Sequence, residues 1–222
     1  MSLETIEIET GPQPRATVLL MHGLGADGSD FVPLAQQLRL AAVGPVRFVF
    51  PNAPQMPVTL NGGMRMPAWY DILGQDLALR EDEAGLRRSQ AAIEALLARE
   101  QARGIPAGRI VLAGFSQGCA MALMTGLRHP ERLAGIAGLS GYLPLAARTA
   151  VERHDANALT PIFLAHGRYD PVVPLARASA SRDALRVLGY KVAWHEYAMD
   201  HSVCMEELAD LNRWLLEVLA PA

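Results

Sequence analysis

"RIVLAGFSQGCAMALM", residues 109–124, decides the fold. It opens as a continuous apolar run, the pattern of a strand covered on both faces. It closes as a run of small and apolar residues with helix-forming character. Between the two stands Ser116, with Gly114 two positions before it and Gly118 two positions after. Gly-x-Ser-x-Gly between a strand and a helix is the spacing of a nucleophile elbow. The reason is steric. A serine lifted above a sheet edge needs a strained backbone, and side chains at the flanking positions would strike neighbouring strand and helix backbone. A glycine-rich turn with a bystander serine is the alternative reading, and the surrounding sequence weighs against it.

The same rhythm continues on both sides. "TIEIE" alternates as a half-buried strand does, while "ATVLLMHG", "VRFVFPNAP", "LAGIAGLSG" and "PIFLAHG" are short apolar runs ending at Gly, Pro or polar corners. "KVAWHEY" is a more mixed strand. Helical patterns cover residues 81–103 (stopped by Gly104), 117–130 (stopped before Pro130), 175–189 and 201–220. Strands alternating with helices predict an α/β fold, with a mostly parallel central sheet flanked by helices on both faces. The 222 residues suit a single domain, residues 1–222. Residues 51–80 break the rhythm with four prolines, a Gly62-Gly63 pair and several methionines. They read as a substrate-binding loop or lid without clear regular structure.

Composition narrows the function. A net charge of −3 leaves no basic footprint for nucleic acid. Two cysteines, Cys119 and Cys204, give no disulfide framework and point to a reducing compartment. The N-terminus lacks the basic and apolar regions of a secretory signal, and no apolar run is long enough to cross a bilayer. The expectation is a cytoplasmic enzyme without stable membrane insertion. No His-x-x-x-His or Cys-x-x-Cys spacing suggests a metal, so no cofactor is expected.

A serine hydroxyl is a poor nucleophile until a base takes its proton, and the base needs an acid to orient it. On a hydrolase sheet those partners follow the serine in the order acid, then histidine. Asp170 lies just past the strand "PIFLAHG", and His201 lies past "KVAWHEY" and before the last helix. Strand C-terminal ends are where open α/β sheets build their sites. The other histidines fit less well. His195 lies inside a strand, His129 sits at a helix end where it would cap carbonyls, and His154 lies in a polar stretch. His166 precedes the acid and reads as structural. The backbone N–H of Gln117 is one expected oxyanion donor, and that of Leu24, in the Gly-rich loop "HGLGADG", is the other. That loop matches G-x-G-x-x-G by spacing alone, with no acidic residue placed to read a ribose.

"HGLGADG", "MPAWYDI", "GFSQG", "HGRYDPVVP" and "DHSVC", in order between residues 22 and 204, make the chain resemble the phospholipase/carboxylesterase family of α/β hydrolases. The resemblance implies a Ser116–Asp170–His201 triad with Leu24 and Gln117 at the oxyanion. It also implies an acyl pocket partly formed by Trp69 and Val172. The substrate implied is a small acyl ester or thioester, of short to medium chain or a lysophospholipid. A weak homodimer burying the apolar lid is implied as well. A serine peptidase, or a non-catalytic binding module on the same fold, is the alternative. Four residues depart from the family pattern: Cys119 stands where a further glycine is common, Arg168 and Tyr169 replace smaller or acidic residues, and Tyr70 replaces the more usual phenylalanine. Tyr70 in "WYD" adds a hydroxyl whose role the sequence does not reveal.

Overall fold

The computed structural model describes residues 3–74 and 81–220. Among these described residues, nine strands and six α-helices follow in chain order. They are β1 (Thr5–Glu9), β2 (Ala16–Met21), α1 (Val32–Gln37), β3 (Val46–Pro51), β4 (Gln55–Val58), β5 (Met64–Pro67), α2 (Glu83–Ala102), β6 (Ile110–Phe115), α3 (Gln117–Gly126), β7 (Gly135–Leu139), α4 (Ala146–Glu152), β8 (Ile162–Gly167), α5 (Leu175–Val187), β9 (Val192–Tyr197) and α6 (Met205–Val218).

Seven strands form one sheet in the order β1-β3-β2-β6-β7-β8-β9. All its pairings are parallel except the antiparallel edge pair β1–β3. The apolar runs become strands because both faces are covered, which removes any need for polar alternation. Leu19, Met21, Leu112 and Ile136 face one core, with Leu86, Ile93 and Leu97 of α2, the buried face of α3 and Leu185 of α5. Val18, Leu20, Val111 and Phe163 face the other, with Leu208, Leu211, Trp214 and Leu215 of α6.

Residues 51–80 are more regular than their prolines suggest. Prolines sit inside both short strands of the antiparallel hairpin β4–β5, which is tolerable because a two-stranded ribbon is all edge. Gly62 and Gly63 at its tip both take positive φ, which glycine allows at little cost. Residues 75–80 of the expected lid lie outside the described residues. The last helix begins at Met205 rather than at His201, because Cys204 is its N-cap and takes the N–H of Glu207 on its sulfur. His129 does not cap carbonyls. Its Nδ1 lies 2.7 Å from Glu94 Oε2 on α2, a partner that proximity in sequence could not suggest.

The turn from β6 to α3 is the tightest point of the fold. A Cβ built on Gly118 would sit 2.1 Å from the carbonyl oxygen of Met21, and one on Gly114 would sit 2.1 Å from the carbonyl of Gly118. These neighbours are backbone and cannot move aside alone. Gly118→Ala is therefore expected to cost at least about 2–3 kcal/mol, as overpacking in a rigid core does. Urea denaturation of the variant beside wild type checks this. An unchanged midpoint would show that the turn can open.

Candidate active site

Ser116 caps β6 with φ 55° and ψ −115°, a conformation that side-chain-bearing residues rarely adopt. Such a residue stores on the order of 1–3 kcal/mol of strain. The Ser116 N–H is tied to the Leu139 carbonyl at 2.9 Å, and its carbonyl accepts from Ala120 N–H at 3.2 Å. The strained turn is thus gripped on both sides, and the hydroxyl stands at the C-terminal edge of the sheet.

Two further loops reach the same edge. After β8, Asp170 folds back so that its Oδ1 accepts the N–H groups of Val172 and Val173, each at 2.8 Å. After β9, His201 brings its Nδ1 to 2.7 Å from Asp170 Oδ2 and its Nε2 to 2.9 Å from Ser116 Oγ. The carboxylate fixes the proton on Nδ1, leaving Nε2 to accept from the serine hydroxyl. Gly167 lets the two loops meet, since a Cβ there would lie 2.3 Å from the Asp200 carbonyl oxygen. The Phe115 ring packs against His201 with centroids 4.8 Å apart and limits its rotation.

The structure thus brings Ser116, His201 and Asp170 together, three residues far apart in sequence. Leu24 borders the same site on the loop after β2, where Gly23 lies against Phe115 and Ser116. The adjoining Gly25 N–H is anchored to the Pro67 carbonyl at 2.9 Å. Gln117 is the first residue of α3, so its N–H has no carbonyl one turn earlier in the helix. Gln117 follows the serine directly, and Gly23, next to Leu24, lies against it.

Two cavities open from Ser116. One, of about 540 Å³, is lined by Leu24, Phe31, Leu34, Phe115, His201 and Val203. The other, of about 1060 Å³, is lined by Leu60, Tyr70, Ile72, Gln117, Tyr142 and Arg177. Val172, 58 % exposed, lies on the rim of both. Trp69 lines neither. It is 1 % exposed and lies beneath the site, with its indole N–H on the His22 carbonyl at 2.9 Å.

Two supporting groups went unnoticed in the sequence, although both lie in the recognised motifs. His22 is fully buried. Its Nε2 accepts the Ala53 N–H at 3.0 Å, so Nδ1 carries the proton and donates to the Gly23 carbonyl at 2.7 Å. Burial lowers its pKa, which suits a neutral ring. The Gln117 side chain clamps the 69–70 segment, accepting from Trp69 N–H at 3.0 Å and donating to the Tyr70 carbonyl at 2.9 Å. Cys119 is buried behind the elbow, and burial pushes its thiol up to about 12, so it is no competing nucleophile. Among the described residues no cluster of side chains could hold a metal ion, and no helix is long and apolar enough to cross a membrane.

The phospholipase/carboxylesterase family matches residues 3–219. Acyl-protein thioesterase 1 of Yarrowia lipolytica is 44 % identical over 209 residues, covering 91 % of either chain. Its counterpart in Neurospora crassa is 45 % identical over 213 residues, covering 92 % of this chain and 87 % of that one. Among solved structures, Arabidopsis thaliana SOBER1 superposes with a TM-score of 0.88 at 28 % identity, covering 92 % of this chain and 99 % of that one. Acyl-protein thioesterase 2 of Zea mays gives 0.85 at 28 % identity, covering 98 % and 99 %.

One carboxyl near the site has an unusual setting. Glu207, in the first turn of α6, is fully buried and neither of its oxygens has a hydrogen-bond partner. Burial pushes it up from 4.5 to about 8. Between those values the unfolded chain releases a proton that the folded chain keeps. The stability Glu207 contributes is thus complete below about pH 4.5, declines as pH rises and is gone above about 8. Glu207→Gln is expected to flatten this slope and to be the more stable protein at pH 8. Thermal melts at pH 5 and pH 8 check it, and parallel shifts of both proteins would refute it.

Proposed function

The chain belongs to the phospholipase/carboxylesterase family of α/β hydrolases, and on that premise we propose that Ser116, His201 and Asp170 form the catalytic triad of a hydrolase of carboxylic esters and thioesters. The observation that carries the reading is the unbroken pair of hydrogen bonds, 2.7 Å and 2.9 Å, from Asp170 through His201 to Ser116.

His201 takes the Ser116 proton as the hydroxyl attacks the acyl carbonyl. The N–H groups of Leu24 and Gln117 receive the oxyanion, in a site where fixed dipoles need no reorganisation. The N-terminus of α3 adds its positive dipole end. His201 then gives the proton to the departing alcohol or thiol. The acyl-enzyme is hydrolysed by the same steps with water as nucleophile. Asp170 holds the ring and stabilises its cation.

The two cavities divide the substrate. His201 must protonate the leaving group, so the cavity it lines takes the alcohol or thiol portion. The larger cavity, lined by Gln117 but not by His201, takes the acyl chain, with Val172 between them. Thioester cleavage on an acylated protein comes to this chain from the named activity of its relatives. A leaving group as large as a protein is compatible with a site whose rim, at Val172, is open to solvent.

Hydrolysis of p-nitrophenyl esters from acetate to laurate, beside an acyl-thioester, tests the reading. Ser116→Ala is expected to lose on the order of 10⁴-fold or more in kcat, and Asp170→Asn about 10⁴-fold, on the pattern of other triads. Wild-type turnover by Ser116→Ala would sink the assignment. With serine dependence established, the acyl length at which kcat/KM peaks measures the larger cavity.

A further inference from the structure

His166, the last-but-one residue of β8, is fully buried behind the triad and takes no part in the steps above. Its Nε2 lies 2.8 Å from the Val173 carbonyl oxygen. A carbonyl can only accept, so Nε2 carries the proton. The same nitrogen lies 3.4 Å from Asp170 Oδ2, the oxygen that holds His201. That separation is long for a full hydrogen bond, but it places the N–H dipole against the carboxylate. Val173 is gripped at both ends of its residue: its N–H is on Asp170 Oδ1 and its carbonyl is on His166. The 170–173 turn is thereby tied to the floor of the sheet through one imidazole.

We propose that His166 is a positioning residue for the acid of the triad: its neutral imidazole, protonated at Nε2, fixes the turn that aims Asp170 Oδ2 at His201. The inference rests on the triad reading above. Neutrality follows from the geometry. Nδ1 is buried and has no hydrogen-bond partner, so a second proton there would be an unsatisfied cationic donor. Burial likewise lowers the pKa of the ring, outweighing the hydrogen bond to the Val173 carbonyl and the pull of Asp170 and Glu196, and acting with the repulsion of protonated His201. A neutral ring does not compete with His201 for the carboxylate. A charged one would stand 3.4 Å from Asp170 and neutralise it.

The test compares His166→Phe, which keeps an aromatic ring of similar size but has no donor, with His166→Gln, whose amide nitrogen reaches as far as Nε2. Active sites are first counted with a fluorophosphonate probe, so that loss of folded protein is separated from loss of rate. Labelling that requires Ser116 keeps the triad reading standing whatever the His166 variants do. Turnover of p-nitrophenyl acetate per labelled site is expected to fall about 10–100-fold in His166→Phe with KM little changed, the penalty of a small misplacement in a catalytic array. The acid limb of its kcat/KM profile moves to lower pH, because an Asp170 pulled away from His201 stabilises the imidazolium less. His166→Gln restores both rate and limb.

A His166→Phe protein with wild-type turnover per site overturns the proposal. So does one whose rate falls while the acid limb stays in place, or whose defect is not relieved in His166→Gln. If His166→Phe does not fold, nitrogen-15 NMR of the wild-type histidines decides instead. His166 should show the Nε2–H tautomer and titrate below the ordinary histidine value. An Nδ1–H tautomer, or titration near the ordinary histidine value, would overturn it.

Discussion

Backbone touches backbone where β2, β6 and α3 meet, and the site depends on that contact. Gly118 packs on the carbonyls of Met21 and His22, and Gly114 packs on Gly118 itself. No side chain fits between them, so the first turn of α3 lies directly against the end of β2. This closeness sets the loop that carries Leu24 beside the serine that precedes Gln117. It also makes the positive φ of Ser116 affordable, because the strained turn cannot relax without separating two central strands of the sheet. The reactive geometry follows from packing and is maintained by the whole core.

The polar groups follow a second constraint, that each buried donor and acceptor should be used. Asp170 spends one oxygen on two backbone N–H groups and the other on His201. His22 spends one nitrogen on Ala53 and the other on Gly23. Gln117 spends both ends of its amide on the 69–70 segment. The bonds to Ala53, Trp69 and Tyr70 tie the site to segments that hold no triad residue. Glu207 breaks the rule, and its unusual protonation is the consequence.

Local rules made the strands, the long helices and the elbow legible in the sequence, because apolar runs, glycine spacing and turn residues act within a few positions. The order of serine, acid and histidine along the chain identified candidates for the site for the same reason. What stayed hidden is governed by distant partners. His129 meets Glu94 from another helix, and nothing near Pro130 could reveal it. The β4–β5 hairpin was obscured because its prolines signal irregular backbone, although a free ribbon edge accommodates them. Trp69 was implied as part of an acyl pocket by the family resemblance alone. Its indole N–H instead needed a buried acceptor, found in the His22 carbonyl.

The Tyr70 hydroxyl has such a hidden partner. It is buried and shares a 2.8 Å hydrogen bond with the hydroxyl of Tyr142, from the loop after β7. The Arg177 guanidinium, on α5, lies 3.8 Å from the centre of the Tyr142 ring. Cation and ring attract, and each restrains the other. All three residues line the larger cavity, so a wall that is otherwise largely apolar carries a polar seam. An acyl chain gains about 0.8 kcal/mol for each methylene removed from water onto an apolar wall. It gains less where the wall must keep hydroxyls and a guanidinium satisfied. On the proposed division of the substrate, the bond-breaking parts are held by backbone and sheet, while the acyl chain meets side chains from three separate segments. On that proposal, substitutions at Tyr70, Tyr142 and Arg177 are expected to alter substrate range while leaving the hydrogen bonds among Ser116, His201 and Asp170 in place.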